Sequence, residues 1–591
     1  MLKVSPVKPP YDQLEQPPTA ALIAAVEGHD KIKIYKKATI KETTGAPGLF
    51  DVKIEYGAGE YSTGEDSTGE DSTGEDYSTG EDSTGEDSTG EDSTGEDSTG
   101  ENSERIGAIV VATGYTLYDE TKLTHLGHGT SPDVITAWEF EQMAKAGNIV
   151  RKSDGQPAKR VAFSLCAGSR DVQHLEYCSG ACCTYSMKQA LYVTEQYEDA
   201  STFLIYQEIR TPGQMEDFYR KVQNEGGVFI KGDINKVASG SNGGLTVDIN
   251  DKLLRTPESL DVDLLVLATG MMPNIDTTDP NQETDLSASD ANSVLNLQYR
   301  QGPSLPLLKW GFPDSHYICF PYETRRTGIH AAGPVRRPMG ISSSMTDATG
   351  AALKAIQTVE SIGRGAAVHP RVGDLSYPSF RVDGCTQCKR CTEECPFGAI
   401  NEDDKSNPLF NPTRCRRCGT CMGACPQKII SFSNYSVDMI STMFKECEIP
   451  EEDEEKPRIL IFACENDAYP ALDMIGHNRG ILTPYIRVVP LRCMGSMNLV
   501  WVADAMSAGY DGVLLMGCRH GDDYQCHFVR GSALAETRLN KVAETLDRLQ
   551  LESERVKMIE VNIMDSDILP DKINAFVDDL EAFGPNPFKE F

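Results

Sequence analysis

The chain has 591 residues, room for three or four domains at roughly 150 residues each. Its 56 basic against 89 acidic residues leave a formal charge of -33, which excludes a nucleic-acid-binding face and disfavours acidic partners. No apolar run approaches the roughly 18 residues of a membrane helix and no charged-then-apolar leader opens the chain, so a cytoplasmic protein is expected. The 18 Cys sit at metal-ligand spacings, so metal, iron first, is expected rather than a disulfide scaffold.

Leu49 to Glu55 alternates like a strand, and Ile106 to Thr113 is an apolar run closed by Gly114. Between them, Tyr61 to Asn102 is eight copies of Ser-Thr-Gly-Glu-Asp or a variant ending in Asn, interrupted by Tyr77. The tract carries 15 acidic residues, leaving -18 for the rest of the chain. With almost no apolar side chain to bury it is expected to be a disordered hairpin tip; calcium binding is the alternative, weakened by the lack of spaced ligands. Val161 to Leu165, Phe203 to Tyr206 and Val262 to Ala268 read as strands around a helix from Met187 to Tyr197, an α/β pattern. A helix from Ser342 to Ile362 follows the run Gly328 to Gly333. Residues 375–435 have dense Cys and Pro, 436–456 reads as an acidic linker, and strands at Arg458 to Ala463, Ile486 to Leu491 and Gly512 to Met516 predict a second α/β domain over 457–591.

The strongest chemical signal is Cys385-x2-Cys388-x2-Cys391-x3-Cys395-Pro396, repeated as Cys415-x2-Cys418-x2-Cys421-x3-Cys425-Pro426. This is the bacterial ferredoxin spacing twice, in which three close thiolates wrap one [4Fe-4S] cube and the fourth crosses to the other. The expected sets are Cys385, Cys388, Cys391 with Cys425, and Cys415, Cys418, Cys421 with Cys395; a pair of zinc sites is the alternative. Cys166 ends a strand where a phosphate loop is expected, no Gly-x-Gly-x-x-Gly is found, and Cys178, Cys182 and Cys183 follow, so a further Fe-S cluster is predicted, against buried structural cysteines. Cys464, Cys493 and Cys518 each follow an apolar strand, with Cys526 beyond, and suit one [2Fe-2S] cluster or, alternatively, zinc. Cys319 and Cys447 have no partners at ligand spacing and read as core or surface residues, and His330 as structural. Ala112-Thr113-Gly114 and Ala268-Thr269-Gly270 close apolar strands, as turns that approach a dinucleotide do.

Taken together, these turns, Cys166-Ala-Gly-Ser-Arg-Asp171, Tyr177-Cys-Ser-Gly-Ala-Cys-Cys183 and the doubled ferredoxin motif resemble the A-subunit family of heterodisulfide reductases. The tail Gly517 to His527 is similar to the hydrogenase delta subunit. Cys464 to Pro470, Pro321 to Arg326 and Gly584 to Lys589 look most like the branch formed by the B-subunits of quinone-interacting membrane-bound oxidoreductases. The resemblance implies thioredoxin-reductase-like FAD/NAD(P)-type domains: a partial FAD domain over 1–160, a pyridine-nucleotide-type domain with the Cys166 set over 161–285, and a return to the FAD domain over 286–374. It implies FAD held by Thr113, Gly114, Thr269, Gly270, Gly333, Ser343 and Thr346, with no catalytic side chain. Family members carry a Gly-rich βαβ unit before Leu2 to Pro6 of this chain, so the main FAD anchor is expected to come from elsewhere or to be lost.

The function implied is electron transfer between the menaquinone pool and adenylylsulfate reductase, with two further partners: a homologous flavoprotein subunit, and a quinone-reactive cytochrome/Fe-S subunit in the membrane. Peripheral membrane association through the latter follows. The alternatives are an electron-bifurcating heterodisulfide reductase flavoprotein and a flavin-free Fe-S relay or fragment.

Overall fold

The computed structural model describes residues 2–6, 8–57, 61–62, 99–240, 243–275, 293–316, 319–367, 376–449, 457–520 and 526–589. Strands β1 (Ala38–Ala46), β2 (Leu49–Gly57) and β3 (Thr99–Ile106) form an antiparallel sheet in the order β1-β2-β3. Because β2 pairs with β3 from Phe50 opposite Ile106 to Gly57 opposite Thr99, the acidic repeat does connect two hairpin arms. Thr99 to Asn102 are strand, however, as are Tyr61 and Ser62, against the disorder expected for the tract, and residues 63–98 lie outside the described ones.

Beside this sheet, β4 (Ile109–Val111) takes up the apolar run that follows. A seven-stranded sheet comes next, built from β5 (Val134–Thr136), β6 (Arg160–Ala167), β7 (Ser201–Tyr206), β8 (Gly227–Ser239), β9 (Leu245–Asp251), β10 (Thr256–Val262) and β11 (Leu264–Thr269), in the order β10-β9-β8-β7-β6-β11-β5. Strands β5, β11, β6, β7 and β8 run parallel, while β9 and β10 add an antiparallel extension. The central parallel strands β6, β7 and β11 are mostly buried between helices, and every residue of β11 is buried. Helix α1 (Cys182–Gln196) lies on β6 and β7. It starts five residues before the apolar periodicity suggests, which puts Cys182 and Cys183 in its first turn.

Strand β12 (Ile329–Ala331) pairs in parallel with β4, Ile329 opposite Ile109, so the turns at Gly114 and Gly333 leave the same sheet edge. Helix α2 (Ile341–Ile362) follows. In the Cys-rich module, two short helices, α3 (Arg390–Glu393) and α4 (Thr420–Ala424), occupy matching places in the two Cys motifs. Residues 437–445, expected in a linker, instead form α5 (Val437–Lys445), whose Val437, Ile440 and Phe444 are buried in the C-terminal core; the acidic run 451–455 itself lies outside the described residues. Ser436 caps it by accepting the Met439 N–H.

The C-terminal domain is an open parallel sheet of β13 (Ile459–Cys464), β14 (Ile486–Leu491), β15 (Gly512–Cys518) and β16 (Val556–Val561) in the order β14-β13-β15-β16. The architecture is therefore mixed α/β with an inserted cluster-binding module, as expected from sequence. Among the described residues no helix is long and apolar enough to cross a membrane.

Candidate iron-sulfur and flavin sites

The Cys-x2-Cys loops wrap because their intervening residues turn left-handed: Gln387 and Lys389 in the first motif, Arg417 and Gly419 in the second, all have φ between 56° and 85°. The turns aim amide N–H groups at sulfur. Gln387 N–H donates to Cys385 Sγ, Arg417 N–H to Cys415 Sγ and Ala399 N–H to Cys395 Sγ, each at 3.3 Å. Cys385, Cys388, Cys391 and Cys425 line one small pocket. Cys395, Cys415, Cys418 and Cys421 line a second. The two pockets group the sulfurs as three from one motif with the fourth from the other. Burial pushes the Cys391 thiol up to about 12 and raises Cys395, Cys415 and Cys421 as well. Such thiols become ligands by exchanging protons for metal.

In the C-terminal domain, Cys464 and Cys518 end neighbouring strands with their sulfurs 3.3 Å apart. Cys526 is in hydrogen-bond contact with both Cys493 and Cys518. Their mutual hydrogen bonds raise Cys493 and Cys518 and lower Cys464 and Cys526, as in a tightly coupled set of thiols sharing protons. Four buried sulfurs therefore converge, and a tetrathiolate metal or cluster site fits them. Gly531 closes this site, since a β-carbon there would clash with Cys493 Sγ and stand 3.6 Å from Cys526 Sγ. Cys493 belongs to one buried apolar cluster with Cys418, and a β-carbon at Gly419 would stand 3.0 Å from Ser496 Cβ, so this site lies beside the second ferredoxin cavity.

Cys166, at the end of β6 with φ +60°, sits with Cys178, Cys182 and Cys183; Cys182 is raised to about 12 by burial and then by the other three. The Arg170 guanidinium beside Cys166 and Cys183 opposes this, although burial still lifts Cys166 to about 11. The set fits a cluster, with an arginine offsetting its negative charge.

The residues the resemblance implies for FAD divide into two groups. Gly114 (φ +77°) has no atom within 4 Å of a β-carbon position, Gly333 (φ +74°) has none nearer than Ser344 Cβ at 4.0 Å, and α2 starts at Gly340 with no side-chain cap. These leave backbone open to an approaching group, with Thr113, Ser343 and Thr346 exposed around it. Thr113 Oγ1 donates to the Asn274 carbonyl, and the Gly333 N–H is held by Asp347 Oδ2 at 2.8 Å. Thr269 and Gly270, by contrast, face the cysteine set. The Thr269 carbonyl lies 3.9 Å from Cys182 Sγ, and a β-carbon at Gly270 would be 2.5 Å from Ser169 Oγ. The buried Thr269 Oγ1 has no hydrogen-bond partner. The two groups meet where Gly340 stands against Ala181 and Gly180 against the Pro338 carbonyl. The flavin turn edge and the Cys182 loop are therefore neighbours.

Two features escape sequence reading. Cys319, expected to be unpartnered, has its Sγ 3.2 Å from His527 Nδ1, across 208 residues of chain. Arg170 lies within the Cys166 motif but carries no ligand signature of its own. His330 is buried with its Nε2 3.2 Å from Thr358 Oγ1.

The cysteine sets are of the kind that hold iron-sulfur clusters, and the turns at Gly114 and Gly333 leave an open backbone edge beside them. Residues 384–430 match the 4Fe-4S dicluster domain family and residues 459–584 the methyl-viologen-reducing hydrogenase delta subunit family. The A-subunit of the ferredoxin/F(420)H(2)-dependent CoB-CoM heterodisulfide reductase of Methanosarcina acetivorans is 33% identical over 486 residues, covering 81% of this chain and 57% of that one. Its counterpart in the Methanosarcina mazei ferredoxin:CoB-CoM heterodisulfide reductase is 32% identical over the same shares. The corresponding polypeptide of the H(2):CoB-CoM heterodisulfide,ferredoxin reductase of Methanothermobacter thermautotrophicus is 33% identical over 50% of this chain and 42% of its own. The chain thus spans about half the length of these curated relatives. The thioredoxin reductase of T. acidophilum aligns with 55% of this chain and 74% of its own at 13% identity and a TM-score of 0.29, too low to bear on the fold. The relatives favour the heterodisulfide reductase reading over the menaquinone and adenylylsulfate reductase one.

Proposed function

We propose that the chain is a flavin and iron-sulfur electron-transfer subunit of the heterodisulfide reductase A type, working in a complex with other polypeptides. The observation that carries this is that Cys418 and Cys493 fall in one buried apolar cluster, which sets the C-terminal site beside the ferredoxin module. The names of the relatives support it over 81% of the chain. Bound at these thiolates, clusters supply one-electron carriers, and FAD exchanges electron pairs for single electrons. The protein's own contribution is to hold sulfurs at fixed spacing, keep water from Cys395, Cys421, Cys464 and Cys493, and set potentials through N–H to sulfur bonds such as that from Ala399.

The proposed [4Fe-4S] ligands are Cys385, Cys388, Cys391 and Cys425 for one cluster, Cys395, Cys415, Cys418 and Cys421 for the next, and Cys166, Cys178, Cys182 and Cys183 for a third. Cys464, Cys493, Cys518 and Cys526 hold the fourth site, read as [2Fe-2S]. FAD is proposed at the edge formed by Thr113, Gly114, Gly333, Ser343 and Thr346, with Thr269 and Gly270 between flavin and the Cys182 cluster. The substrate side is a CoB-CoM-type heterodisulfide reductase partner, with reduced ferredoxin as donor.

Cys464 to Pro470 and Pro321 to Arg326 favour a second reading, in which the partners are adenylylsulfate reductase and a quinone-reactive cytochrome. Affinity purification of the chain from anaerobic cells separates them. Recovery of a heterodisulfide reductase polypeptide, with reduced ferredoxin bleaching the clusters, supports the first; recovery of the cytochrome and adenylylsulfate reductase overturns it in favour of the second.

A further inference from the structure

The segment before β12 and the loop after β15 bring together three ligating side chains that no cysteine motif accounts for. His316, Cys319 and His527 each offer one ligand atom, and these atoms all lie within 4.8 Å of one another. Cys319 Sγ is 3.2 Å from His527 Nδ1, and the rings of His316 and His527 are 4.3 Å apart between centroids. Two donors bound tetrahedrally at about 2.0 and 2.3 Å from one zinc stand about 3.5 Å apart, so the S···N separation already has the scale of a ligand pair. The other ring nitrogen, His527 Nε2, faces Asp467 Oδ1 at 3.9 Å. At that distance the carboxylate is an ionic neighbour of the ring and does not hydrogen-bond to it.

The surroundings hold this geometry. The Arg325 guanidinium donates to the His527 and Cys526 carbonyls at 2.8 Å each and to Asp314 Oδ1 at 2.9 Å, pinning the backbone that presents the histidine. His316 Nδ1 accepts the Cys319 N–H at 3.0 Å, a bond that a metal at that nitrogen would replace. His316 is buried and Cys319 exposed, so an ion can enter from the Cys319 side.

We infer that His316, Cys319 and His527 form a mononuclear zinc site that joins the segment before β12 to the C-terminal domain, with water in the fourth position. Two imidazoles and one thiolate suit zinc among the divalent ions and lack the four thiolates an iron-sulfur cluster takes. Binding releases the Cys319 proton and places a positive charge next to Cys526, at the wall of the four-sulfur site.

The test uses the full-length chain purified anaerobically, incubated with one equivalent of zinc sulfate and desalted. Zinc and iron are then counted by mass spectrometry, and zinc K-edge absorption reports its donors. About one zinc per chain is expected, bound by one sulfur near 2.3 Å and by nitrogen or oxygen near 2.0–2.1 Å. Cys319→Ser and His316→Gln should each lower zinc at least about tenfold while iron stays constant. Since Cys319 is exposed, its serine variant has no packing reason to misfold, and the absorption edge of the unmodified chain stands without any variant. Less than about a tenth of a zinc per unmodified chain would overturn the inference. So would a zinc environment of three or four sulfurs, which would place the ion in a cysteine cluster, or zinc retained in both variants.

Discussion

Glu323 and Arg416 form an ion pair sealed inside the protein, with Arg416 Nη2 donating to Glu323 Oε2 at 2.7 Å and the two side chains 7% and 1% exposed. Arg416 lies between Cys415 and Cys418, and Glu323 lies six residues before β12, so one bond ties the ferredoxin loop to the flavin-type domain. Arg416 also donates to the Thr324 carbonyl at 2.8 Å and stacks over Phe320 and Phe397.

Removing one partner leaves a charge stranded in low dielectric. Glu323→Leu should cost about 3–5 kcal/mol, and adding Arg416→Met should recover most of that. Denaturant melts of the single and double variants check this; equal losses in both would contradict a paired charge.

The crossed ligand sets make a non-additive prediction. Cys425→Ser and Cys385→Ser should each lose about four irons, and the double variant should lose no more, because both residues serve one cluster. Cys425→Ser with Cys415→Ser should lose about eight. Iron counts on anaerobic protein decide, and the opposite pattern would mean each motif keeps its own fourth cysteine.

Gly531 has no room for a side chain beside Cys493. Gly531→Ala should displace Cys493, lose the metal of the four-sulfur site, and destabilise the domain by about 1–3 kcal/mol through overpacking. The ferredoxin spectrum should be unchanged. Retention of full iron content would mean Cys493 is not a ligand.

Acid should weaken the fold through His330. Burial, the main cause, lowers its pKa from 6.5, with Arg416 and Lys354 adding to the effect and Glu323 opposing it. The unfolded chain therefore takes up a proton below about pH 6.5 that the folded one refuses, so stability falls as pH drops through that range. His330→Gln should flatten this part of the stability curve. An unchanged acid limb would assign it to other groups.

The ferredoxin ligands are legible in the sequence because their chemistry is local: spacing and tight turns set each Cys motif, and burial only completes the cavities. Three of the four C-terminal cysteines are legible from the strands they close, a general property of parallel sheets. The edge strand β16 is not, because Lys557 and Glu560 interrupt its apolar pattern, as they can on a half-covered edge. Helix α5 hides for another reason: its short apolar face, Val437, Ile440 and Phe444, means little until the C-terminal core is in place to cover it. The start of α1 reads too late because Cys182 and Cys183 are buried at a helix end where periodicity is weakest. The meeting of Cys319 with His527 depends on tertiary structure alone, and no spacing could announce it.

The four-sulfur site and the second ferredoxin site are, in this account, adjacent stations on one path. Electron paramagnetic resonance during stepwise anaerobic reduction tests that most directly. The expected result is magnetic interaction that broadens both signals when both are reduced, and that disappears in Cys493→Ser while the ferredoxin signal persists. Two signals that remain independent at full reduction would contradict the account.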